Sequence, residues 1–83
     1  MKLLLFKISS CGTCIKQEEL LNKYSIKYIS CELFENRELA RRYNVTDTPT
    51  LVLIDNNNDM IKKYDYLINK QQLEKISNIL KNN

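Results

Sequence analysis

The sequence predicts one α/β domain over residues 1–83, in which a four-stranded mixed sheet is flanked by three helices in the order β-α-β-α-β-β-α. Short apolar or β-branched runs alternate with longer segments of helical character, and one proline and one glycine interrupt them. A chain of 83 residues has room for one domain with a small core. Its 43% hydrophobic and 28% charged residues are typical of a folded globular protein.

The first three predicted elements are a strand, a helix and a strand. Residues 3–8 form an apolar run that is typical of a strand buried on both faces. Residues 26–31 are β-branched and aromatic and predict a second strand. Between them, residues 11–23 are rich in helix formers. We expect this helix to turn inward a stripe formed by Cys14, Glu18, Leu21 and Tyr24.

The rest of the chain predicts a helix, a hairpin and a last helix. Residues 35–43 predict a helix that begins near Glu35 or Asn36, with inward side chains at Leu39, Ala40 and Tyr43. Residues 50–54 and 60–66 predict the two strands of a hairpin, joined by an Asn- and Asp-rich turn. Residues 70–81 predict a helix whose inward positions are Leu73, Ile76, Ile79 and Leu80. Right-handed crossovers make the first two strands parallel, with the antiparallel hairpin on the other side.

Composition excludes several classes of function. The net charge of +3 is spread along the chain, so we expect neither a nucleic-acid partner nor a membrane surface. The absence of histidine excludes histidine catalysis and histidine metal ligands. The apolar run that Lys7 interrupts is too short for a secretion signal or a membrane span. Three cysteines, an odd number, argue against a secreted disulfide scaffold, so we expect a cytoplasmic protein. We also expect it to be a monomer.

The residues Cys11-Gly12-Thr13-Cys14 stand where the first strand turns into the first helix. Unpaired N–H groups and the positive end of the helix dipole favour a thiolate at the first cysteine. In such motifs the pKa of the attacking thiol falls from about 8.5 to roughly 3.5–7.5. We expect Cys11 to attack a disulfide and Cys14 to resolve the mixed disulfide, with Gly12 giving the turn its conformational freedom.

Two other interpretations of the cysteine pair fit the sequence less well than a redox role. Half of a zinc site would need further soft ligands, and the chain offers three cysteines and no histidine. Two inert core thiols would not be expected at a strand-to-helix junction. Cys31, on the second predicted strand, is expected to be a small buried hydrophobic residue.

The sequence resembles the thioredoxin–glutaredoxin superfamily over nearly its whole length. The resemblance rests on the cysteine pair after the first strand, on Asp47-Thr48-Pro49-Thr50 before the third strand, and on the helical stretch 35–45 leading to it. It implies the thioredoxin fold and a thiol–disulfide oxidoreductase that needs no cofactor beyond the Cys11–Cys14 disulfide. It also implies a cis Pro49 beside the cysteines, with substrate bound by Gly12, Thr13, Thr48 and Pro49.

Departures from the family patterns bear on the substrate. The length is that of a glutaredoxin, but Gly-Thr between the cysteines differs from the usual Pro-Tyr. The region 64–69 also lacks the glycines of a glutathione site. We therefore expect a reductase of protein disulfides that is recycled by a thioredoxin-reductase-like flavoenzyme, with glutathione as the alternative donor. A glutathione-dependent glutaredoxin is the second hypothesis, and a dimer bridging a metal or iron–sulfur cluster through Cys11 is the third.

Two charged residues are candidate modulators of the cysteines. Ser10 and Leu5 stand where the thioredoxin pattern places a tryptophan and a buried acid. Glu18, four residues after Cys14 on the helix, could then accept the Cys14 proton. Lys7, at the end of the first strand, could place its ammonium near the Cys11 thiolate. The alternative for both is a solvated side chain.

Overall fold

A four-stranded mixed sheet forms the centre of the structure, a computed structural model that describes residues 1–82. The strands are β1 (Lys2–Lys7), β2 (Ile29–Glu32), β3 (Thr50–Ile54) and β4 (Met60–Tyr64), in the spatial order β2-β1-β3-β4. β1 pairs with β2 in parallel, whereas the β1–β3 and β3–β4 pairs are antiparallel. The predicted mixed sheet is confirmed.

Three α-helices flank the sheet: α1 (Gly12–Lys23), α2 (Arg37–Arg42) and α3 (Lys70–Lys81). The second helix is shorter than the predicted 35–43 because Leu33–Glu35 form a separate 3-10 turn. The Glu32 side chain caps that turn by accepting the N–H groups of Phe34 and Glu35 at 2.8 and 3.2 Å. Within the described residues, no helix is long and apolar enough to span a bilayer.

The two central strands are buried on both faces, as the apolar run in the sequence predicts. Because side chains alternate along a strand, each strand contributes to two hydrophobic clusters. The cluster on the α1 and α3 side includes Leu3, Leu5, Leu51, Leu53, Leu21, Leu73 and Ile76. The cluster on the α2 side includes Leu4, Phe6, Val52, Ile54, Ala40 and Tyr43. A sheet covered on both faces holds the ends of β1 and β3 in fixed positions.

The buried faces of α1 and α3 differ from the faces that the sequence predicted. In α1 the buried residues are Cys14, Gln17 and Leu21, so Gln17 takes the inner position that was predicted for Glu18. In α3, Leu73 and Ile76 are buried, but Ile79 is 38% exposed and does not belong to the core. Both helices are therefore rotated slightly from the predicted phase.

Non-glycine residues in the left-handed conformation end the first two helices. Ser25 has a φ of 56°, and the N–H groups of Ser25 and Ile26 donate to the carbonyls of Asn22 and Leu21. This is the paired bond pattern of a Schellman motif. Because the Ile26 N–H takes part in the cap that ends α1, this residue is not available to the sheet. The second strand therefore begins at Ile29 rather than at the predicted residue 26.

We predict that Ser25→Gly raises the free energy of unfolding by about 0.5–1 kcal/mol, because glycine adopts a positive φ without the steric cost of a Cβ. Urea denaturation monitored by circular dichroism measures the change. Asn78→Gly, at an exposed interior position of α3, is the control and should lower stability instead. A loss of stability in Ser25→Gly would contradict the assignment of strain to this position.

Candidate active site

The sheet edge where β1 ends carries the two cysteines. After β1 the chain turns at Ser9 and Ser10, and the Cys11 N–H donates to the Ile8 carbonyl at 3.2 Å. Cys11 is the N-cap of α1, and its sulfur accepts the backbone N–H of Cys14 at 3.1 Å. The Cys11 sulfur therefore occupies the anion-favouring end of the helix, as predicted.

Cys11 and Cys14 form a disulfide, with their Cα atoms 5.2 Å apart. The Thr13 hydroxyl lies 3.3 Å from the Cys11 sulfur, and it must be the donor because a disulfide sulfur carries no proton. Cys14 is 1% exposed, whereas Cys11 is half-buried. An incoming thiol or disulfide can therefore reach Cys11 but not Cys14.

Gly12 does not have the conformational role predicted for it. It is the first residue of α1, its φ is not positive, and a Cβ built on it would meet nothing within 4 Å. Gly12 and Thr13 are both exposed. Neither the backbone nor the available space requires glycine here, so the predicted reason for this residue is wrong.

The loop before β3 reaches the same edge of the sheet as the cysteines because of the sheet register. Phe6 near the end of β1 pairs with Thr50 at the start of β3, so residues 47–49 reach the same edge as Cys11. The Thr48–Pro49 peptide bond is cis. Pro49 is buried, Thr48 is half-buried, and the buried Thr50 hydroxyl donates to the Asp47 carbonyl at 2.6 Å. That last bond closes the loop, and no sequence pattern predicted it.

Lys7 and Glu18 are brought together by the structure. The Lys7 ammonium donates to Glu18 Oε1 at 2.9 Å, and the Tyr28 hydroxyl donates to Glu18 Oε2 at 2.8 Å. The Glu18 side chain is 22% exposed. The Lys7 ammonium therefore contacts Glu18. The Cys11 sulfur instead contacts the Thr13 hydroxyl and the Cys14 N–H.

The charge state of Glu18 follows from these contacts. Partial burial raises the pKa of Glu18, but the bonds from Lys7 and Tyr28 outweigh it and leave that pKa below its ordinary value of 4.5. Burial and the neighbouring carboxylate raise the pKa of Tyr28, so its hydroxyl stays protonated and donates. A low pKa and two occupied oxygens make this carboxylate a weak proton acceptor. Its predicted role toward Cys14 stays a prediction.

Gln17 is a residue near the cysteines that the sequence analysis missed. It is fully buried, one helical turn after Cys14, and its Oε1 accepts the backbone N–H of Ile68 at 2.9 Å. The bond ties α1 to the segment before α3. Gln17 stands in a turn with Lys16, Glu18 and Glu19, so nothing in the sequence marked it as the buried member.

The third cysteine is buried in the cluster on the α2 side of the sheet, as predicted for a small hydrophobic residue. Cys31 is 3% exposed, its thiol lies 3.7 Å from the Ile29 carbonyl, and burial raises its pKa. These features describe an unreactive thiol. Across residues 1–82, no three Cys, Asp or Glu side chains are grouped so that they could hold a metal ion.

We predict that Gly12→Ala raises the free energy of unfolding by about 0.4–1 kcal/mol, since alanine restricts the unfolded chain and fits the helical backbone without contact. Urea denaturation of the disulfide form measures this. A destabilised variant would mean that residue 12 needs a conformation closed to alanine.

We predict that Glu18→Gln lowers the free energy of unfolding by roughly 1–2 kcal/mol at neutral pH, because it removes a charge-assisted bond. The folded-state pKa of Glu18 is lowered, so this contribution is present above the unfolded value and is lost as pH falls through the folded value. The difference from the parent chain should therefore shrink as the pH falls below the ordinary pKa of a glutamate side chain. Glu19→Gln, at an exposed neighbour, is the control. A difference that does not change with pH would contradict the ion pair.

Comparisons with family models and with solved structures point to the same family. The sequence model of the family described as Thioredoxin matches residues 1–81. A mutant thioredoxin from Halobacterium salinarum superposes with a TM-score of 0.77 at 24% identity, covering 89% of this chain and 68% of that chain. Thioredoxin 1 from Thermosipho africanus gives 0.71 at 21% identity, covering 98% and 96%. The germline-specific thioredoxin Deadhead from Drosophila melanogaster gives 0.74 at 25% identity, covering 94% and 78%.

A search of curated protein sequences found no match. The family match nevertheless covers almost every residue, and the disulfide stands at the N-terminus of a helix that directly follows a central strand. The chain belongs to the thioredoxin family and is a thiol–disulfide oxidoreductase.

Proposed function

We propose that the chain reduces disulfide bonds in other proteins, with Cys11 as the attacking sulfur and Cys14 as the resolving sulfur. The observation that carries this proposal is the difference in exposure within the disulfide. Cys14 is 1% exposed, whereas the half-buried Cys11 lies at an open edge of the sheet. A substrate sulfur can therefore approach one end of the disulfide only.

The surroundings of Cys11 favour a macromolecular substrate. β1, β2 and β4 run in the same direction and end at the same edge. Three exposed apolar side chains lie near this edge. Phe34 follows the end of β2, Tyr66 follows the end of β4, and Ile15 is in the first turn of α1. Exposed apolar side chains at the edge of the sheet that carries Cys11 support a protein rather than a small molecule as the substrate. An apolar cavity of about 420 Å³, lined in part by Leu3 and Leu80, includes neither cysteine.

The reaction follows from the two sulfurs. In the reduced protein, the Cys11 thiolate attacks a substrate disulfide, whose S–S bond breaks as one substrate sulfur leaves as a thiolate. Cys14 then attacks Cys11, forms the internal disulfide and releases the second substrate sulfur. Two electrons pass from the dithiol to the substrate, and the Cys14 proton goes to a departing thiolate or to water. The Cys14 N–H and the start of α1 favour the charged form of Cys11.

Thr48 supplies a docking position for the substrate backbone. The β3 ladder begins at Thr50, so the peptide groups of the half-buried Thr48 lie just outside it. An extended substrate segment can pair with such groups as an added strand. Pro49, Gly12 and Thr13 complete the contact surface beside Cys11.

We predict that Cys11→Ser abolishes reduction of a model protein disulfide such as insulin, whereas Cys14→Ser forms a stable mixed disulfide with it. Only the exposed sulfur can attack, and only the buried one can resolve. Non-reducing electrophoresis and mass spectrometry detect the trapped species. Cys31→Ala is the control, because Cys31 is a free cysteine buried in the cluster on the α2 side, and it should keep the parent activity. Equal trapping by the two serine variants would overturn the assigned roles.

We also propose that a thioredoxin-reductase-like flavoenzyme returns electrons to the disulfide, with glutathione as the alternative donor. We predict that NADPH with thioredoxin reductase sustains turnover of insulin reduction, measured as NADPH consumption. The matched arm replaces the flavoenzyme with glutathione and glutathione reductase. Turnover in that arm alone would contradict the proposed donor and favour a glutaredoxin.

A further inference from the structure

Gln17 carries a buried polar group without a partner. The residue is 0% exposed, and across residues 1–82 its Nε2 makes no hydrogen bond. A buried donor left unpaired costs roughly 1–3 kcal/mol, so such groups are uncommon in folded proteins. A group of this kind one turn after the resolving cysteine needs a physical account.

The orientation of the Gln17 amide is fixed by its other end. The backbone N–H of Ile68 can only donate, and it lies 2.9 Å from Gln17 Oε1. Exchanging the oxygen and nitrogen of the amide would set two donors against each other. The NH₂ group must therefore point away from Ile68 while the oxygen remains bound to it.

The resolving sulfur belongs to a side chain on the same buried face of α1 as this donor. Cys14 and Gln17 are three residues apart on α1 and are both buried, so they are neighbours on one face of the helix. Helical side chains lean toward the N-terminus, which carries the Gln17 side chain over the turn that contains Cys14. In the disulfide the Cys14 sulfur is neutral and is bonded to Cys11, which makes it a poor acceptor.

We propose that Gln17 Nε2 donates a hydrogen bond to the Cys14 sulfur when the Cys11–Cys14 disulfide is reduced. Reduction breaks the S–S bond, adds two electrons and two protons, and leaves a thiol that becomes a thiolate before it attacks. A thiolate is a strong acceptor, and hydrogen bonds to charged groups are among the strongest in proteins. The donor without a partner in the disulfide thus gains one when the reduced Cys14 ionises, and it stabilises that form of the reduced protein.

The other charged groups near Cys14 are the same in the parent chain and in a Gln17 variant. On its own helix Cys14 is followed one turn later by Glu18, which is paired with Lys7 from β1 and with Tyr28. Cys11 faces it across the disulfide. Substitution of Gln17 changes none of these groups, so a change in the redox equilibrium reports on the amide.

The first test is the equilibrium between the protein and dithiothreitol, measured for the parent chain and for Gln17→Met. Methionine keeps the length of the side chain but removes its donor. We expect the equilibrium constant to move about tenfold toward the disulfide, which corresponds to a potential about 30 mV more negative. Gln71→Met, the same change at an exposed position of α3, should leave the constant unchanged.

The same variant separates the donor role from the anchoring of Ile68. Loss of the Ile68 bond alone would lower the free energy of unfolding equally in both redox forms and leave the dithiothreitol constant unchanged. An unchanged constant would therefore overturn the proposal. The inference rests on the thiol–disulfide activity, but this equilibrium needs neither a protein substrate nor a flavoenzyme. Failure of the proposed function would leave its outcome unaffected.

A second test uses the parent chain and does not depend on a variant that folds. The side-chain NH₂ resonances of Gln17 are compared by NMR before and after reduction with dithiothreitol at about pH 8. We expect a downfield proton shift and slower exchange with water in the reduced form, with the Gln71 amide unchanged. Identical Gln17 resonances and exchange rates in the two forms would overturn the proposal.

Discussion

Burial of β1 on both faces is the constraint from which the geometry of the site follows. Leu5 and Phe6 are fully buried, one toward each helical layer, so the end of the strand cannot shift without opening a core. Cys11 follows after a short turn, and the pairing of Phe6 with Thr50 sets the Thr48–Pro49 loop at the same edge. The cysteine pair and the Thr48–Pro49 loop, far apart in sequence, are thus placed by the register of one pair of strands.

The polar groups behind the cysteines come from α1 rather than from the sheet. Leu5, where the family resemblance places a buried acid, belongs to the hydrophobic cluster beneath α1 and α3. Glu18 and Gln17 stand instead on the helix that carries Cys14. Glu18 is half-buried and its two oxygens are occupied, whereas Gln17 is fully buried and keeps an unpaired donor. The two side chains therefore have different chemistry although they are adjacent.

The sequence was sufficient to predict the order of elements, the mixed sheet and the cysteine pair at a helix start. Those features depend on strongly apolar strands and on a motif whose residues are contiguous. The phase of α1 was not predictable in the same way, because Lys16, Gln17, Glu18 and Glu19 give no periodic contrast between an inner and an outer face. Which of them is buried depends on the Ile68 N–H, a backbone donor 51 residues away that only the folded chain brings near.

In the proposed reaction, resolution of the mixed disulfide requires a charged sulfur at Cys14, which is 1% exposed, in a place from which water is nearly excluded. A thiolate without a partner is costly there, so the protein must either accept the proton nearby or stabilise the charge that remains. Glu18 is poorly suited to accept a proton, because Lys7 and Tyr28 hold its pKa low. Stabilising the charge requires a hydrogen-bond donor, and Gln17 supplies one on the buried face of the same helix. The chemistry of the second step thus points to a donor, and the fold provides it at the cost of leaving that donor unpaired in the disulfide.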